Sequence, residues 1–243
     1  MIRLRYALAA AGFALVLWQG IVWITAVPPF ILPSPLRVAQ AAWANRVLIA
    51  GNAWVTASEV VIALIIGTVA GALTAILLAA SQRLHRLVMP VLVFTQAVPV
   101  FALAPVLTLW FGYGIVSKVV MAVLIIYFPV TSAFYDGLTR VPAGVLDMAR
   151  IMGGTRWQVM QRIKIPHALP SLGTGLKLAA VYAPIGAVIG EWVGASRGLG
   201  YLMLLANGRA KTDLMFASLF ALAIMTLLMH LAVAKASDRL NAH

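Results

Sequence analysis

Long apolar runs separated by short polar segments follow one another along most of this chain. Six runs contain no Asp, Glu, Lys or Arg and approach the roughly 20 residues that a helix needs to cross a bilayer. They cover residues 7–27, 60–80, 87–111, 119–135, 178–190 and 214–234. The fifth is the shortest and can be extended to residues 172–193. The pattern predicts an all-α membrane protein with six transmembrane helices.

Several local signals divide these runs further. Pro90, Pro99 and Pro105 interrupt the third run and predict a kinked or split helix. Thr56 and Glu59 have the spacing of a capping box, which predicts that the second helix begins there with Glu59 as a cap at the outer surface.

Two further patterns concern packing at the second helix. Gly67 and Gly71 form a GxxxG pair that lets another helix approach closely, for instance that of a second copy. Residues 35–47 carry apolar positions at helical spacing and predict a short amphipathic helix on the outer membrane face.

Composition agrees with a membrane protein. Hydrophobic residues make up 63% of the 243 positions and charged residues 10%, where a soluble domain has about a quarter. The net charge of +12 comes from basic residues at the ends of apolar runs, which indicates membrane anchoring rather than nucleic-acid binding. Cysteine is absent from the sequence, so disulfides and thiol chemistry are excluded.

The distribution of Lys and Arg predicts the orientation. With the N-terminus inside, segments 1–6, 81–86, 136–177 and 235–243 would be cytoplasmic and hold twelve of the 18 basic residues. Because basic residues favour the inside, we expect both termini in the cytoplasm. The first run exceeds the 7–15 residues of a signal-peptide core, so we expect it to be retained as a helix.

The segment DMARIMGGTRWQVMQRIKIPHALP, residues 147–170, concentrates charge on the cytoplasmic side. Gly153 and Gly154 predict the end of one helix, Thr155 with Gln158 predicts the capped start of another, and Pro166 predicts its end. It contains no acid pair, metal cluster or nucleophile with a base. A helix–turn–helix of this kind fits attachment to anionic lipid or docking of a soluble partner, and the residues alone leave both open.

This segment resembles the cytoplasmic signature loop of ABC importer permeases, whose pattern is Glu-Ala-Ala, three residues, Gly, nine residues, Ile-x-Leu-Pro. Here Asp147, Met148 and Ala149 stand for the first triplet and residues 163–166 for the last four. The resemblance implies that the loop docks on a separate ATPase subunit. The coupling residues it implies are Asp147, Ala149, Gly153, Gly154, Thr155, Ile163, Ile165 and Pro166.

Other segments resemble the nitrate/sulfonate/taurine branch of these permeases, namely residues 32–35, 98–114, 117–130 and 190–203. Residues 183–216 are most similar to subunits assigned to hydroxymethylpyrimidine, a thiamine precursor. The resemblance implies a type I ABC importer permease in a bacterial inner membrane, with residues 1–52 preceding a permease core of 53–243 that includes the loop 136–177. It also implies a second, identical permease copy, a periplasmic solute-binding protein, and ATP and Mg on the ATPase, with no cofactor and no enzymatic activity in this chain.

Candidate residues for the solute pathway are Gln96, Tyr182, Glu191 and Trp192. An acid inside a membrane is costly unless it is paired or faces water, so Glu191 is either functional or paired with Arg197. We expect His230 to be neutral and bonded to a neighbouring helix.

Three alternative functions each predict a different set of residues within the membrane. A sulfonate, taurine or nitrate permease would favour basic residues at membrane depth, and the six apolar runs contain none. An ion-coupled secondary transporter would show more intramembrane acids and an internal repeat. A membrane enzyme would need a paired catalytic constellation, and none is evident.

Overall fold

Helices form almost the whole of the described chain, and no strand occurs among residues 2–240. The structure is a computed structural model that describes these residues, apart from the side chains of residues 2–5, 7, 8 and 240. The helices are α1 (Ile2–Thr25), α2 (Pro35–Ala44), α3 (Arg46–Ala80), α4 (Gln82–Ala97), α5 (Val100–Phe111), α6 (Ile115–Thr139), α7 (Ala143–Ile151), α8 (Arg156–Val159), α9 (Ile165–Gly194), α10 (Leu199–Gly208) and α11 (Thr212–Leu240).

Four of the described helical segments are long and apolar enough to cross a membrane: α3, α6, the combined segment Arg156–Gly194, and α11. Helices α4 and α5 form a fifth candidate span that is bent by 99°, so the split predicted from the prolines is confirmed. Helix α1 has 24 residues, or about 36 Å at 1.5 Å per residue, and its described apolar part is Ala9–Thr25.

Helices α6 and α9 form the centre of the packing because α9 carries small residues at helical spacing. Gly175, Gly186 and Gly190 face α6 so closely that a Cβ added at Gly186 would lie 2.8 Å from the backbone nitrogen of Ala122. Such contacts replace side-chain packing with backbone packing, as is common between membrane helices.

The GxxxG pair on α3 packs against α6 of the same chain. A Cβ at Gly67 would lie 2.7 Å from Ile126, and one at Gly71 would lie 3.1 Å from the Cβ of Val130. The close approach predicted from the motif therefore occurs, but its partner is α6 and not a second copy.

The predicted start of the second helix was wrong. Helix α3 begins at Arg46, after Asn45, and Thr56 and Glu59 lie in its interior, 0% and 1% exposed. Glu59 therefore caps nothing, because its side chain pairs with another helix. The predicted boundary between residues 52 and 53 falls within this helix.

The predicted helix end at Pro166 was also wrong. A π-helical segment, Met160–Lys164, joins α8 to α9, and Pro166 lies in the first turn of α9. A π turn is wider than an α turn, so it relieves the contact of the proline ring with the preceding carbonyls. Helix therefore continues from Arg156 to Gly194.

The amphipathic helix predicted from residue 35 onward is α2. Ser34 caps it by accepting a hydrogen bond from the Arg37 N–H at 3.4 Å, and Pro35 occupies the first turn. Its buried residues, Val38 and Ala41, pack inward. Its place on the outer membrane face stays a prediction.

Candidate coupling loop and buried charge network

The end of α7 is fixed by a Schellman motif. The Gly153 N–H donates to the carbonyl of Arg150 and the Gly154 N–H to that of Ala149, each at 2.9 Å. Gly153 has φ +77°, a conformation that glycine adopts without strain. A Cβ at Gly154 would lie 2.8 Å from the Ala149 carbonyl oxygen. The predicted glycine turn is confirmed, and Ala149 accepts one of its two hydrogen bonds.

Helix α8 begins directly after this turn with the predicted capping box. The Thr155 hydroxyl accepts from the Gln158 N–H at 3.3 Å, and the Gln158 side-chain oxygen accepts from the Thr155 N–H at 2.8 Å. Because both caps are satisfied locally, α7 and α8 are joined by a turn with a defined geometry.

The exposed face of this helix–turn–helix is apolar as well as charged. Ile151 is 87% exposed, Met152 78% and Trp157 59%. Asp147 pairs with Arg150 of the same helix at 2.7 Å, and both side chains are mostly exposed. The sequence predicted the charges and missed this apolar surface, although its residues could be read from the same segment.

The last predicted loop residues lie on the helix that leads into the membrane. Ile163 is half-buried in the π-helical segment, and Ile165 packs against a buried cluster that includes Phe134 and Met160. Pro166 is exposed in the first turn of α9. These residues attach the loop to the helical core rather than extend its outer surface.

A buried charge network lies near the other end of α9. The Lys118 Nζ of α6 donates to the Glu59 Oε1 of α3 at 2.7 Å. The Thr56 hydroxyl donates to the Glu191 Oε1 at 2.6 Å, and the Gly200 N–H donates to Oε2. Lys118 is 7% exposed, although it lies between two of the predicted spans, directly before the apolar run 119–135.

The same network holds the turn between α9 and α10. The Gly198 N–H donates to the Asn52 side-chain oxygen and the Leu199 N–H to the Thr56 hydroxyl, both at 2.8 Å. Gly198 has φ +117°, and a Cβ there would collide with the Glu191 carboxylate. The predicted pair of Glu191 with Arg197 does not form in the described chain, since Arg197 is exposed and both oxygens of Glu191 bond elsewhere.

The predicted pathway residues occupy separate places. Gln96 is exposed at the break between α4 and α5, in a crevice of about 290 Å³ that Ile189 also lines. Trp192, 43% exposed, lines a larger apolar crevice of about 700 Å³ with His230. Tyr182 is 40% exposed, and Glu191 is 1% exposed.

His230 lies in the helical packing as predicted. Its Nδ1 lies 3.2 Å from the Lys177 carbonyl oxygen, on a different helix, and the ring is half-buried. The structure therefore gives this histidine a backbone partner on α9.

The described helices form a bundle of candidate membrane spans with one broken span and an exposed helix–turn–helix between two of them. Residues 65–241 match the family described as the inner membrane component of binding-protein-dependent transport systems. The chain belongs to this family, and it is the permease subunit of an ABC importer of the nitrate/sulfonate/taurine branch. Family membership sets aside the ion-coupled carrier.

The relatives cover nearly all of the chain. A probable ABC transporter permease protein of Haemophilus influenzae is 44% identical over 96% of this chain and 95% of its own length. The formylaminopyrimidine transport permease ThiX of Halalkalibacterium halodurans is 37% identical over 85% of this chain and 83% of its own length. The riboflavin transport permease RibX of Chloroflexus aurantiacus is 37% identical over 89% of this chain and 81% of its own length. Permeases named for aliphatic sulfonates in Bacillus subtilis and taurine in Escherichia coli are 27% and 26% identical.

The fold is also that of a solved importer. A chain of the MetNI methionine ABC transporter has a TM-score of 0.71 with this structure at 21% identity, over 81% of this chain and 97% of that one. The type I importer fold expected from the resemblance is therefore confirmed, and the chain is a multi-pass inner membrane protein.

Proposed function

We propose that this permease imports a small heterocycle containing a pyrimidine ring, the chemical class of the thiamine precursors. The observation that carries the proposal is the naming of two relatives, both 37% identical, for formylaminopyrimidine and riboflavin. Riboflavin contains a pyrimidine ring fused into a larger flat system, so both compounds present the same kind of planar, hydrogen-bonding edge.

The side chains of the candidate pathway support a neutral solute. Gln96 supplies an amide at the break between α4 and α5, beside the apolar side chains of Phe101 and Ile125. An amide can bond both the donors and the acceptors of a heterocycle. We propose Tyr182 and Trp192, both partly exposed on α9, as contacts at separate points of the pathway.

A sulfonate, taurine or nitrate substrate is the second candidate because more distant relatives carry those names. Such an anion needs a free cationic partner. Lys118 is buried and paired with Glu59 at 2.7 Å, so its charge is already matched. This pairing favours the heterocycle over the anion.

For the loop, we propose that α7 and α8 dock on the ATPase. The exposed Ile151, Met152 and Trp157, surrounded by basic residues, combine the apolar centre and charged rim that protein interfaces use. Movement of the loop would pass directly into α9, since helix is continuous from Arg156 to Gly194, about 58 Å.

The remaining parts of the proposal concern assembly. Two identical copies of this chain would bind two ATPase subunits, which hold ATP and Mg and perform the hydrolysis, while this chain does no covalent chemistry. A periplasmic binding protein would deliver the solute to the outer side, and both termini would be cytoplasmic. Two differently tagged copies expressed together should co-purify if the pair is homodimeric.

The experiment that tests the substrate begins with purification of a tagged chain in mild detergent and identification of its partners by mass spectrometry. We expect an ATPase and a binding protein. The binding protein is then titrated with hydroxymethylpyrimidine, formylaminopyrimidine, riboflavin, taurine and nitrate. Binding of a pyrimidine compound, and uptake of that compound lost on deletion of the permease, supports the proposal. Binding of taurine or nitrate alone refutes it while leaving the importer class intact.

A further inference from the structure

Three ionisable side chains from three helices meet in the buried network. Glu59 comes from α3, Lys118 from α6 and Glu191 from α9, and they are 1%, 7% and 1% exposed. The start of α10 contributes only backbone N–H groups and no charge to this network: the Leu199 N–H donates to Thr56 and the Gly200 N–H to Glu191. Two carboxylates and one ammonium group would leave one uncompensated negative charge out of contact with water.

One oxygen of this network lacks a partner. Glu59 Oε1 accepts from Lys118, but Glu59 Oε2 is buried and has no hydrogen-bond donor. Thr56, one turn before Glu59 on α3, donates to the Glu191 Oε1 at 2.6 Å, so the Glu59 and Glu191 carboxyl groups belong to one buried network. Two carboxylate groups without a hydrogen between them repel each other, and a buried acceptor without a donor is costly.

A proton between the two carboxyl groups removes both problems. It gives Glu59 Oε2 its missing hydrogen bond, and it reduces the charge of the three groups from −1 to zero. Carboxyl pairs that share a site commonly hold one proton between them for this reason.

We propose that Glu59 and Glu191 share one bound proton, which holds the turn between α9 and α10 against α3. Glu191 accepts a hydrogen bond from the Gly200 N–H. Thr56, one turn from Glu59, accepts a hydrogen bond from the Leu199 N–H. Loss of the proton would place two negative charges side by side directly beneath this turn. The proton is therefore a structural ligand of the permease, and alkaline pH weakens the attachment.

The test uses the full-length permease with its co-purified partners in lipid nanodiscs. Because the folded state holds a proton that the unfolded chain releases, the wild-type melting temperature should fall as pH rises from mildly acidic to mildly alkaline. We expect a fall of about 2–4 °C from this site. In Glu59→Gln the amide can accept from Lys118 and donate to Glu191, so the fall should disappear without loss of folding.

Asp238→Asn is the matched control because Asp238 forms an exposed pair with Lys177 at 2.8 Å. It should keep the wild-type dependence on pH, which shows that removing any acid is not sufficient. Any pH dependence that arises elsewhere in the protein is common to all variants and cancels in the comparison.

A second measurement does not depend on the variants folding alike. The infrared spectrum of the wild-type protein at neutral pH should contain a carboxylic acid carbonyl band that is lost in Glu59→Gln or Glu191→Gln. The proposal would be overturned if neither substitution removed a carboxylic acid band from the spectrum. It would also be overturned if the melting temperature of Glu59→Gln kept the wild-type dependence on pH. A melting temperature that changes when sodium is exchanged for potassium would assign the position to a metal cation and would also overturn it.

Discussion

Gly153 offers a direct test of the loop because its substitution changes only the backbone. Its φ is +77°, and a Cβ added there would meet no atom within 4 Å. An ordinary L-residue in the left-handed region costs roughly 1–2 kcal/mol, asparagine less, and a β-branched residue more. Valine at this position should therefore strain the turn without creating any collision.

The expected size of the effect follows from that cost. A penalty of about 1–2 kcal/mol lowers the population of the correct turn roughly 5–30-fold relative to competing conformations. If the turn must form to dock on the ATPase, Gly153→Val should reduce solute uptake by a similar factor. Gly153→Asn should remain within about twofold of wild type, since asparagine tolerates this conformation.

The assay compares uptake with ATP hydrolysis in reconstituted transporters carrying Gly153, Asn or Val at this position. Membrane insertion is checked by the amount of folded protein, which we expect to be equal in all three. Equal uptake in the Val and Asn variants would refute the argument from backbone conformation. Unchanged uptake in the Val variant together with normal ATPase activity would refute the coupling role of the loop.

Two further substitutions test the packing and the cap. Gly186→Val places side-chain atoms against the Ala122 backbone, which cannot yield, so overpacking of about 1–3 kcal/mol or more should reduce folded protein in fluorescence-detected size exclusion. Gly20→Val is the control, because a Cβ there meets nothing within 4 Å, and equal losses in both would contradict the packing argument. Thr155→Ala removes the α8 cap at a cost of about 0.5–2 kcal/mol, so solute uptake should fall. Thr155→Ser keeps a capping hydroxyl and should keep the uptake. Identical uptake in the two variants would show that the cap is not needed.

The elements that the sequence determined by itself depend on neighbours close along the chain. The Gly153 turn and the Thr155 cap form through hydrogen bonds between residues no more than five apart, so their residue types suffice to predict them. The split third span follows from proline chemistry, which is also local. Length and apolar composition determined the other spans because lipid imposes them on any helix that crosses it.

The tertiary structure decided what the buried polar residues do. Glu59 has the local spacing of a cap, but it pairs with Lys118, 59 residues away, and helix α3 begins well before it. Thr56 bonds Glu191 across 135 positions. Rules based on neighbouring residues could not find these partners. A charge can be buried only when the tertiary fold brings an oppositely charged or hydrogen-bonding group to it, because desolvation is otherwise too costly.

The same reason explains the GxxxG pair and the course of α9. A GxxxG pair predicts that another helix packs closely, and only the arrangement of the helices identifies α6 as the partner of Gly67. Pro166 normally ends a helix, but packing of Ile165 and Met160 into the core supports a π turn that carries the helix through. Local chemistry thus fixed the caps and spans of this permease, and long-range packing fixed the partners of its buried charges.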